Sequence, residues 1–433
     1  MLNKAAITKL QAAILAVIII VALVAGVAYY FMSQAPAPPA KEKIVIGWAH
    51  GISGYLAPQT ATLHVYYKWI IEDYNKNGGL YVPEYGKKLP IEYIEYDDES
   101  SIDKMLSLTE KLITEDNVDL LFAPCSTAFC YAAFPLYEKY KYPVVALSFG
   151  SDIAGEKMKT GEWNYSFSVL GFPGETGKEM ADLFKYINSS IAPLTTAGII
   201  YHADQHGVEY SNAIYNYLVI AGFQVPVQQS YPPTIADFTP LINDLKAANV
   251  EVPILCGYEG ATFIYQCMAQ GYNPKLIFIG PSMETPALVY GPFGFTHDSA
   301  KGICYYDGWP ATAYTTPELQ AWANAHVNRT GPIPGLYDSY PFPASATLYA
   351  GLDCVFQAVE KVGLDREKIR DALVSDTFDT IVGETKIQPG YSMQCELAGT
   401  ITQWQGRDMM DVIWPRAAAS ADPLYPKPAW PSS

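Results

Sequence analysis

The sequence predicts an α/β protein of two lobes, each a parallel sheet flanked by helices, with a membrane-spanning helix ahead of them. Three observations predict it. Short apolar strands alternate with amphipathic helical segments from about residue 44 onward, a pattern that calls for parallel sheets covered on both faces. The alternation falls into two blocks, about 44–168 and 171–308, and the roughly 390 residues after the linker are too many for one ordinary core. Ahead of both blocks, Ala12 to Met32 is an apolar run without a single charge.

That run reads AAILAVIIIVALVAGVAYYFM. As a helix its 21 residues, at roughly 1.5 Å each, reach about 31 Å, the thickness of a bilayer core. A secretory apolar region is shorter and ends in a small-residue cleavage site. Lys4 and Lys9 precede the run, Tyr29 and Tyr30 sit near its far end, and a Pro/Ala linker follows. The basic flank puts the N-terminus in the cytoplasm and everything after residue 40 outside the cell.

In the first block, Lys43 to Gly47 reads as a strand, followed by a glycine-rich loop ending at Gly54. Pro58 to Asn75 reads as a helix with Tyr66, Tyr67, Ile70 and Ile71 on one face, and NKNGG stops it. Leu89 to Asp98 alternates like a strand, Ser101 to Asp116 is helical, Val118 to Pro124 is a short buried strand, and Thr127 to Tyr140 is again a helix. Tyr142 to Ser148 is the next strand. The second block repeats the scheme. Strands fall at Thr196 to His202, Phe223 to Ser230, Val252 to Tyr258 and Lys275 to Gly280. Helices fall at Val208 to Ala221, Phe238 to Ala248 and Ala261 to Gln270. A long helix spans about 342–362. Residues 383–390 and 399–415 read as strand, strand, turn, strand, and the Pro/Ala-rich tail from Arg416 reads as having little structure of its own.

The formal charge is −16 with no basic stretch, which argues against nucleic acid. The seven cysteines form no CxxC pair, so zinc-ribbon and thioredoxin-type chemistry is excluded; Cys125 and Cys130 are near enough to pair locally, and the odd count leaves one thiol over. Phe172 to Glu179 (FPGETGKE) imitates a phosphate loop but has Phe172 in place of the first glycine and Glu179 where Ser or Thr must hold magnesium. There is no GxSxG, HExxH or SxxK element, so the usual hydrolase signatures are missing. No catalytic residue, cofactor or metal site is expected. His202, Asp204 and His206 crowd one loop, but a loop does not preset metal geometry, and a contact with a solute at a strand's carboxyl end fits them better.

Ser126 and Thr127 follow Pro124 at a helix start. A hydroxyl there caps the helix, and the free amides and positive dipole end also suit a carboxylate. Ser151 and Ser148 end the next strand nearby. The glycines from Gly51 to Gly54, around Ser53, let a backbone approach a ligand closely.

At these residues the chain resembles a known family, the leucine/isoleucine/valine-binding type of solute receptor with the type I periplasmic-binding-protein fold of ABC importers. The resemblance runs from Lys43 to Pro415 and rests on the order and spacing of KIVIGWAHGISG, NKNGGL, LPIEYIEYDDES, LITEDNVDLLFAPCST, AGIIYHADQHGVEY and AQGYNPKLIFIGPS. It implies a first lobe of 43–168 and 309–382 and a second of 171–308 and 383–415, behind a signal-like segment (1–11), the membrane helix (12–32) and the linker (33–42), with the tail (416–433) beyond. Three crossovers near 168–172, 306–310 and 380–384 would join the lobes, which close on a solute by hinge motion. The ligand contacts it implies match Ser53, Cys125, Ser126, Thr127, Phe149 and Ser151 on the first lobe, and His206, in place of a frequent tyrosine, Tyr258, Ser282 and Glu284 on the second. Amino-acid binders of the family carry an acidic residue in the loop after the strand ending GP. This chain has Ser282 there and Glu284 two residues on, so either Glu284 reaches the ammonium or the solute is not an α-amino acid.

The function expected is therefore a membrane-anchored extracellular solute-binding protein that passes a small organic solute, amino-acid-like, to ABC permease subunits. The alternatives are a ligand-sensing ectodomain of a signalling complex and an enzyme on the same scaffold. The KAAITKLQ segment also resembles type-IV-pilin-like signals cut just before the apolar helix.

Overall fold

A computed structural model describes residues 41–281, 297–308, 345–395, 400–406 and 410–431, with isolated helical positions between 14 and 24 and between 317 and 329. The chain forms two compact units, Met1–Glu42 and Lys43–Ser433. In the first, Ile14, Val17, Ile20, Val21, Leu23 and Val24 are helical, with side chains 52–63% exposed. The rest of the run from Ala12 to Met32 lies outside the described residues. Among the described residues no helix is long and apolar enough to cross a membrane.

The second unit opens with β1 (Ile44–His50), α1 (Ala57–Lys76), the hairpin β2 (Leu80–Val82) and β3 (Lys87–Leu89), and β4 (Ile91–Asp97). Then come α2 (Ile102–Thr114), β5 (Leu120–Leu121), α3 (Thr127–Tyr140), β6 (Val144–Ala146), α4 (Asp152–Lys159) and β7 (Ser166–Ser168). The strands β4-β1-β5 form one parallel sheet and β6-β7 a second parallel pair. Residues alternate between two faces. Ile44, Ile46 and Trp48 of β1 pack with Ile70 and Phe122, while Ala49, Leu121 and Ala146 pack with Leu112, Phe129 and Phe134.

The second lobe comprises α5 (Pro173–Ser190), β8 (Thr196–His202), α6 (Gln205–Ile220), β9 (Gln224–Tyr231), α7 (Thr239–Ala247), β10 (Val252–Cys256), α8 (Gly260–Ala269), β11 (Ile277–Gly280), the short α9 (His297–Ala300) and β12 (Ile303–Gly308). The chain then supplies α10 (Ser345–Val362), α11 (Arg366–Ser375), β13 (Phe378–Thr380) and β14 (Gly383–Thr385), and ends with β15 (Thr400–Trp404) and β16 (Met410–Trp414). The sheet order is β16-β15-β12-β11-β10-β8-β9. It is parallel from β9 to β12 and antiparallel at β15 and β16. Neighbouring residues again serve opposite faces. Ile199, Ile254 and Phe278 pack against Phe184 and Ile214, while Ile200, Leu255 and Ile279 pack against Phe238, Ile242 and Phe263.

Two expectations need correction, and a third needs an addition. Residues 383–395 do not join the second lobe: β14 pairs with β13, and Ile387 and Met393 bury in the first-lobe core beside Leu348 and Phe356, because apolar side chains there find a pocket under α10. The described part of the tail has no helix or strand, as expected, but it is pinned to the second lobe. Lys427 N–H donates to the Lys275 carbonyl at 2.7 Å, Tyr425 hydroxyl to that of Pro193 at 2.9 Å, and Trp430 Nε1 to that of Tyr272 at 2.8 Å. Proline and alanine dominate its composition, but its few aromatic and long side chains pin it to the second lobe. All seven cysteines are free, Cys125 and Cys130 included, and six are buried.

Candidate ligand cleft

Each sheet has a topological switch point. From β1 the chain goes first to β4 on one side and then to β5 on the other; from β8 it goes to β9 and then to β10. At such a point the loops leaving adjacent strands part, and a crevice opens at their carboxyl ends. The loops after β1 and β5 carry Ser53, Tyr55 and Cys125 to Thr127. The loop after β8 carries Asp204 and leads into His206 in the first turn of α6, and the loop after β10 carries Tyr258.

Ser126 is the centre of the first-lobe wall. It precedes the first turn of α3 with φ 79° and ψ 151°, a region that only glycine enters freely, at a cost of about 1–3 kcal/mol. Its hydroxyl does not cap the helix, contrary to expectation. It lies instead near the Tyr258 phenol of the second lobe, whose ionisation it favours against the opposing effect of burial. Cys125 is buried and its thiol is pushed up to about 12 by burial, so it is a packing group, not a nucleophile. Thr127 Oγ1 accepts from Gly150 N–H at 3.3 Å, and Phe149 packs edge-on against Phe134 at 4.7 Å. Ser53 is exposed, and its N–H and hydroxyl both donate to Asp97, at 3.1 and 2.7 Å.

Asp98, just past the end of β4, is fully buried. Its Oδ1 accepts from Ser100 N–H at 2.8 Å, and its Oδ2 has no partner. Burial pushes the carboxyl up to about 6, despite the Ser100 bond. Asp98 acts electrostatically on Tyr55 and Cys125. Burial, with Asp204 and Asp98 nearby, pushes the Tyr55 phenol up to about 12.

On the second lobe, His202 is fully buried with Nδ1 3.2 Å from Asp204 and Nε2 3.9 Å from Glu259, neither aligned as a good hydrogen bond. Its ring stacks on Tyr55 of the first lobe at 6.2 Å and meets Tyr258 edge-on at 5.2 Å. Asp204 caps α6 by accepting from Gly207 N–H at 2.9 Å. Burial opposes its ionisation, but His202 and His206 hold its carboxyl below the usual range. Burial pushes His206 down to about 4, so the imidazole is neutral at pH 7. The Gly280 carbonyl favours the charged ring but does not outweigh burial, and Nε2 has no partner.

The lobes also meet at Ser151, the N-cap of α4. Its hydroxyl accepts from Ala154 N–H at 3.1 Å and donates to Glu209 of α6 at 2.6 Å. Glu209 also accepts from Ile153 N–H at 3.2 Å and is held by Gln205. The structure thus brings Ser126, Tyr258 and His206 to one cleft with Cys125 and Thr127 at its wall, sets Ser53 at an exposed rim, and ties Ser151 into a contact between lobes. Ser282 and Glu284 lie outside the described residues. Among the described residues, no group of three or more His, Cys, Asp or Glu side chains is placed to hold a metal. Tyr55, Asp98 and Glu209 were missed by sequence reasoning. Asp98 had a signal, as the last acidic residue of a strand entering the switch point; Glu209 had none.

Comparisons with known proteins fit this architecture. A family model described as periplasmic binding protein matches residues 43–408. The Leu/Ile/Val-binding protein homolog 7 of Brucella abortus (strain 2308) is 25% identical over 414 residues, covering 91% of this chain and 97% of that one. The branched-chain amino acid substrate-binding protein LivJ of Streptococcus pneumoniae, solved with isoleucine, superposes with a TM-score of 0.69 at 17% identity, covering 89% of this chain and 100% of that one. A solute-binding protein of an ABC transporter from R. palustris, solved with benzoate, gives a TM-score of 0.71 at 16% identity, covering 89% and 98%. The match over most of the sequence and the two-lobed sheet topology agree: this chain belongs to the periplasmic binding protein family and has its type I fold.

Proposed function

We propose that this protein captures a small amino-acid-like solute between its lobes and delivers it to an ABC permease, with no chemistry of its own. The observation that carries the reading is Ser126. A serine held at a strained backbone angle, at the N-terminus of a 14-residue helix, sets its hydroxyl near Tyr258 across the cleft and leaves the helix amides uncapped for an acceptor on the solute. Thr127 and Cys125 complete that wall, and His206 and Tyr258 face it. Ser53, Phe149 and Ser151 shape the surrounding loops, and Ser282 and Glu284 remain candidates on the second lobe. The relatives' names, Leu/Ile/Val-binding and branched-chain amino acid, support the solute class.

The anchor belongs to the same reading. The uncharged run at 12–32, with exposed apolar side chains at Ile14, Val17, Ile20, Val21, Leu23 and Val24, is best satisfied by lipid, leaving the lobes outside the cell. Full-length protein should then stay with membranes after a high-salt wash, and release by salt alone would refute the anchor. For the solute, the protein from Lys41 onward should be heated against a panel of amino acids and organic acids. A ligand that binds the native form raises the midpoint, and a flat panel would sink the reading. One observation favours a second solute class. The rings of Tyr55, His202, Tyr258, His206 and Tyr210 lie in succession at centroid distances of 4.3 to 6.2 Å, which suits an aromatic carboxylate.

A further inference from the structure

An edge strand leaves a row of backbone donors and acceptors open, and proteins blunt such edges with charge or cover. Two edges here are blunted. β4 ends the first-lobe sheet and carries Glu92, Glu95 and Asp97. The β16 edge of the second-lobe sheet is covered by the tail, whose Ser420 N–H donates to the Val412 carbonyl at 2.9 Å. β9, at the opposite end of that sheet, has no charge. From Tyr210 to Ala236 the sequence holds no Asp, Glu, Lys, Arg or His, in a chain of net charge −16. Among the described residues no strand pairs the outer side of β9, and Pro226 blunts only its start. The Tyr231 carbonyl accepts from Ala203 N–H, so Tyr231 bonds toward β8. Strand alternation turns Gln229 to β8 as well, and the N–H and C=O groups of Gln228 and Ser230 outward. α6 lies over β8 and β9. Its outer stripe, Val208, Asn212, Asn216 and Val219 with Ile220 beside it, is exposed and uncharged, Ile220 to 82%. Asn212 faces the edge, its Oδ1 accepting from Gln228 Nε2 at 3.1 Å.

We propose that β9 and the outer stripe of α6 are the interface of a two-fold dimer, in which β9 pairs antiparallel with β9 of a second copy. A copy fits this face better than a foreign partner for three reasons. With the axis beside Gln229, Gln228 of one copy and Ser230 of the other exchange both backbone bonds, and the reverse pair does the same, so the edge complements itself. Strands lie about 4.8 Å apart and α6 sits over the gap between β8 and β9, so the two α6 helices fall about 10 Å apart, a normal helix-packing distance. A partner chosen by its charge would be met by acidic side chains, whereas two chains of −16 meet without local repulsion on a patch free of them. The strip is about 24 Å long, from the 16 residues of α6, and about 15 Å wide, so the pair buries on the order of 700 Å² and the dimer is a weak one. Asp244 of α7, on the other face, accepts from Gln229 Nε2 at 3.0 Å and is a charge that the axis brings toward its own copy.

The test is sedimentation velocity on the protein from Lys41 to Ser433, which holds both lobes and their cores. The expected result is a monomer–dimer equilibrium across protein concentrations of about 1–200 μM. The dimer should tighten as salt rises from about 50 to about 500 mM, because screening removes the repulsion between like-charged bodies. Val219→Glu and Ser230→Pro should each weaken it by about 10-fold or more, and Asp244→Asn should tighten it. Val219 is exposed, and Ser230→Pro removes only an outward N–H, so both variants keep the bonds of the single chain. If one of them does not fold, the other and the salt series decide. A monomer at every concentration overturns the proposal and leaves this face to a foreign partner. A dimer that neither variant weakens, or that salt disperses, also overturns it. So does an assembly that grows past two copies, since a two-fold contact closes on itself.

Discussion

Glu209 offers the sharpest test of how the lobes close. Its carboxylate, on α6 of the second lobe, accepts the Ser151 hydroxyl at 2.6 Å and the Ile153 N–H at 3.2 Å, both at the start of α4 in the first lobe. The group is 9% exposed, so both bonds form largely out of water. A bond to a charged group contributes about 1.5–3 kcal/mol net, a neutral one about 0.5–1.5. Glu209→Gln keeps one carbonyl acceptor and loses the charge, so the closed arrangement should lose about 2–3 kcal/mol. That is roughly a 30–150-fold shift toward the open form, and a similar factor in apparent solute affinity where only the closed form retains the solute. Spin labels at the exposed Asp103 and Asn243 would report the separation of the lobes, and calorimetry the affinity. If Glu209→Gln leaves both the distance distribution and the affinity unchanged, the contact is incidental and the reasoning fails.

Other outcomes follow from the same geometry. Asp98 titrates near 6 in the folded protein and near 3.9 unfolded, so the folded state holds its proton longer and stability falls as pH rises from about 4 to about 6. Asp98→Asn should therefore be more stable than wild type at pH 7 by on the order of 1–2 kcal/mol, allowing for solvent near the loop, with the gap closing at pH 4; a constant gap across melting curves would contradict this. Native protein should react with a thiol reagent at Cys395 alone, if at all, and at seven thiols after unfolding, because burial raises Cys125 and Cys256 to about 12; rapid native labelling of Cys125 would refute it. Ending the chain at Pro423 removes the anchoring bonds of Tyr425, Lys427 and Trp430 and should lower the melting midpoint by a few degrees; an unchanged midpoint would mean the tail is only draped on the lobe.

The strand–helix alternation was legible because buried parallel strands such as VPILC and IFIG have no polar face, and α3 was bounded on the sequence at Thr127 and Tyr140, where the structure places it. Helix starts elsewhere moved by one to three residues, although Asp204 caps α6 and Pro58 stands in the first turn of α1. The return of 383–395 to the first lobe was not legible. Its strands are three residues long, and only the burial of Ile387 decides which core they serve. In the site, hydroxyls beside a helix start and an aromatic after a strand were readable from residue type and position. The use of those hydroxyls was not. Ser126 looked like a cap and lies by Tyr258, while Ser151 both caps α4 and meets Glu209, 58 residues away in the chain. Pairings at that separation depend on the docking of two lobes, which no local pattern encodes.

The central claim is that a solute is held where Ser126 and Tyr258 meet, and calorimetric titration of the protein from Lys41 to Ser433 tests it most directly. The account predicts one site per chain for an amino-acid-like solute, held by the α3 amides and weakened by about 0.5–1.5 kcal/mol in Ser126→Ala, which loses only the neutral contact with Tyr258 across the cleft. Full wild-type affinity in both Ser126→Ala and Tyr258→Phe would contradict it.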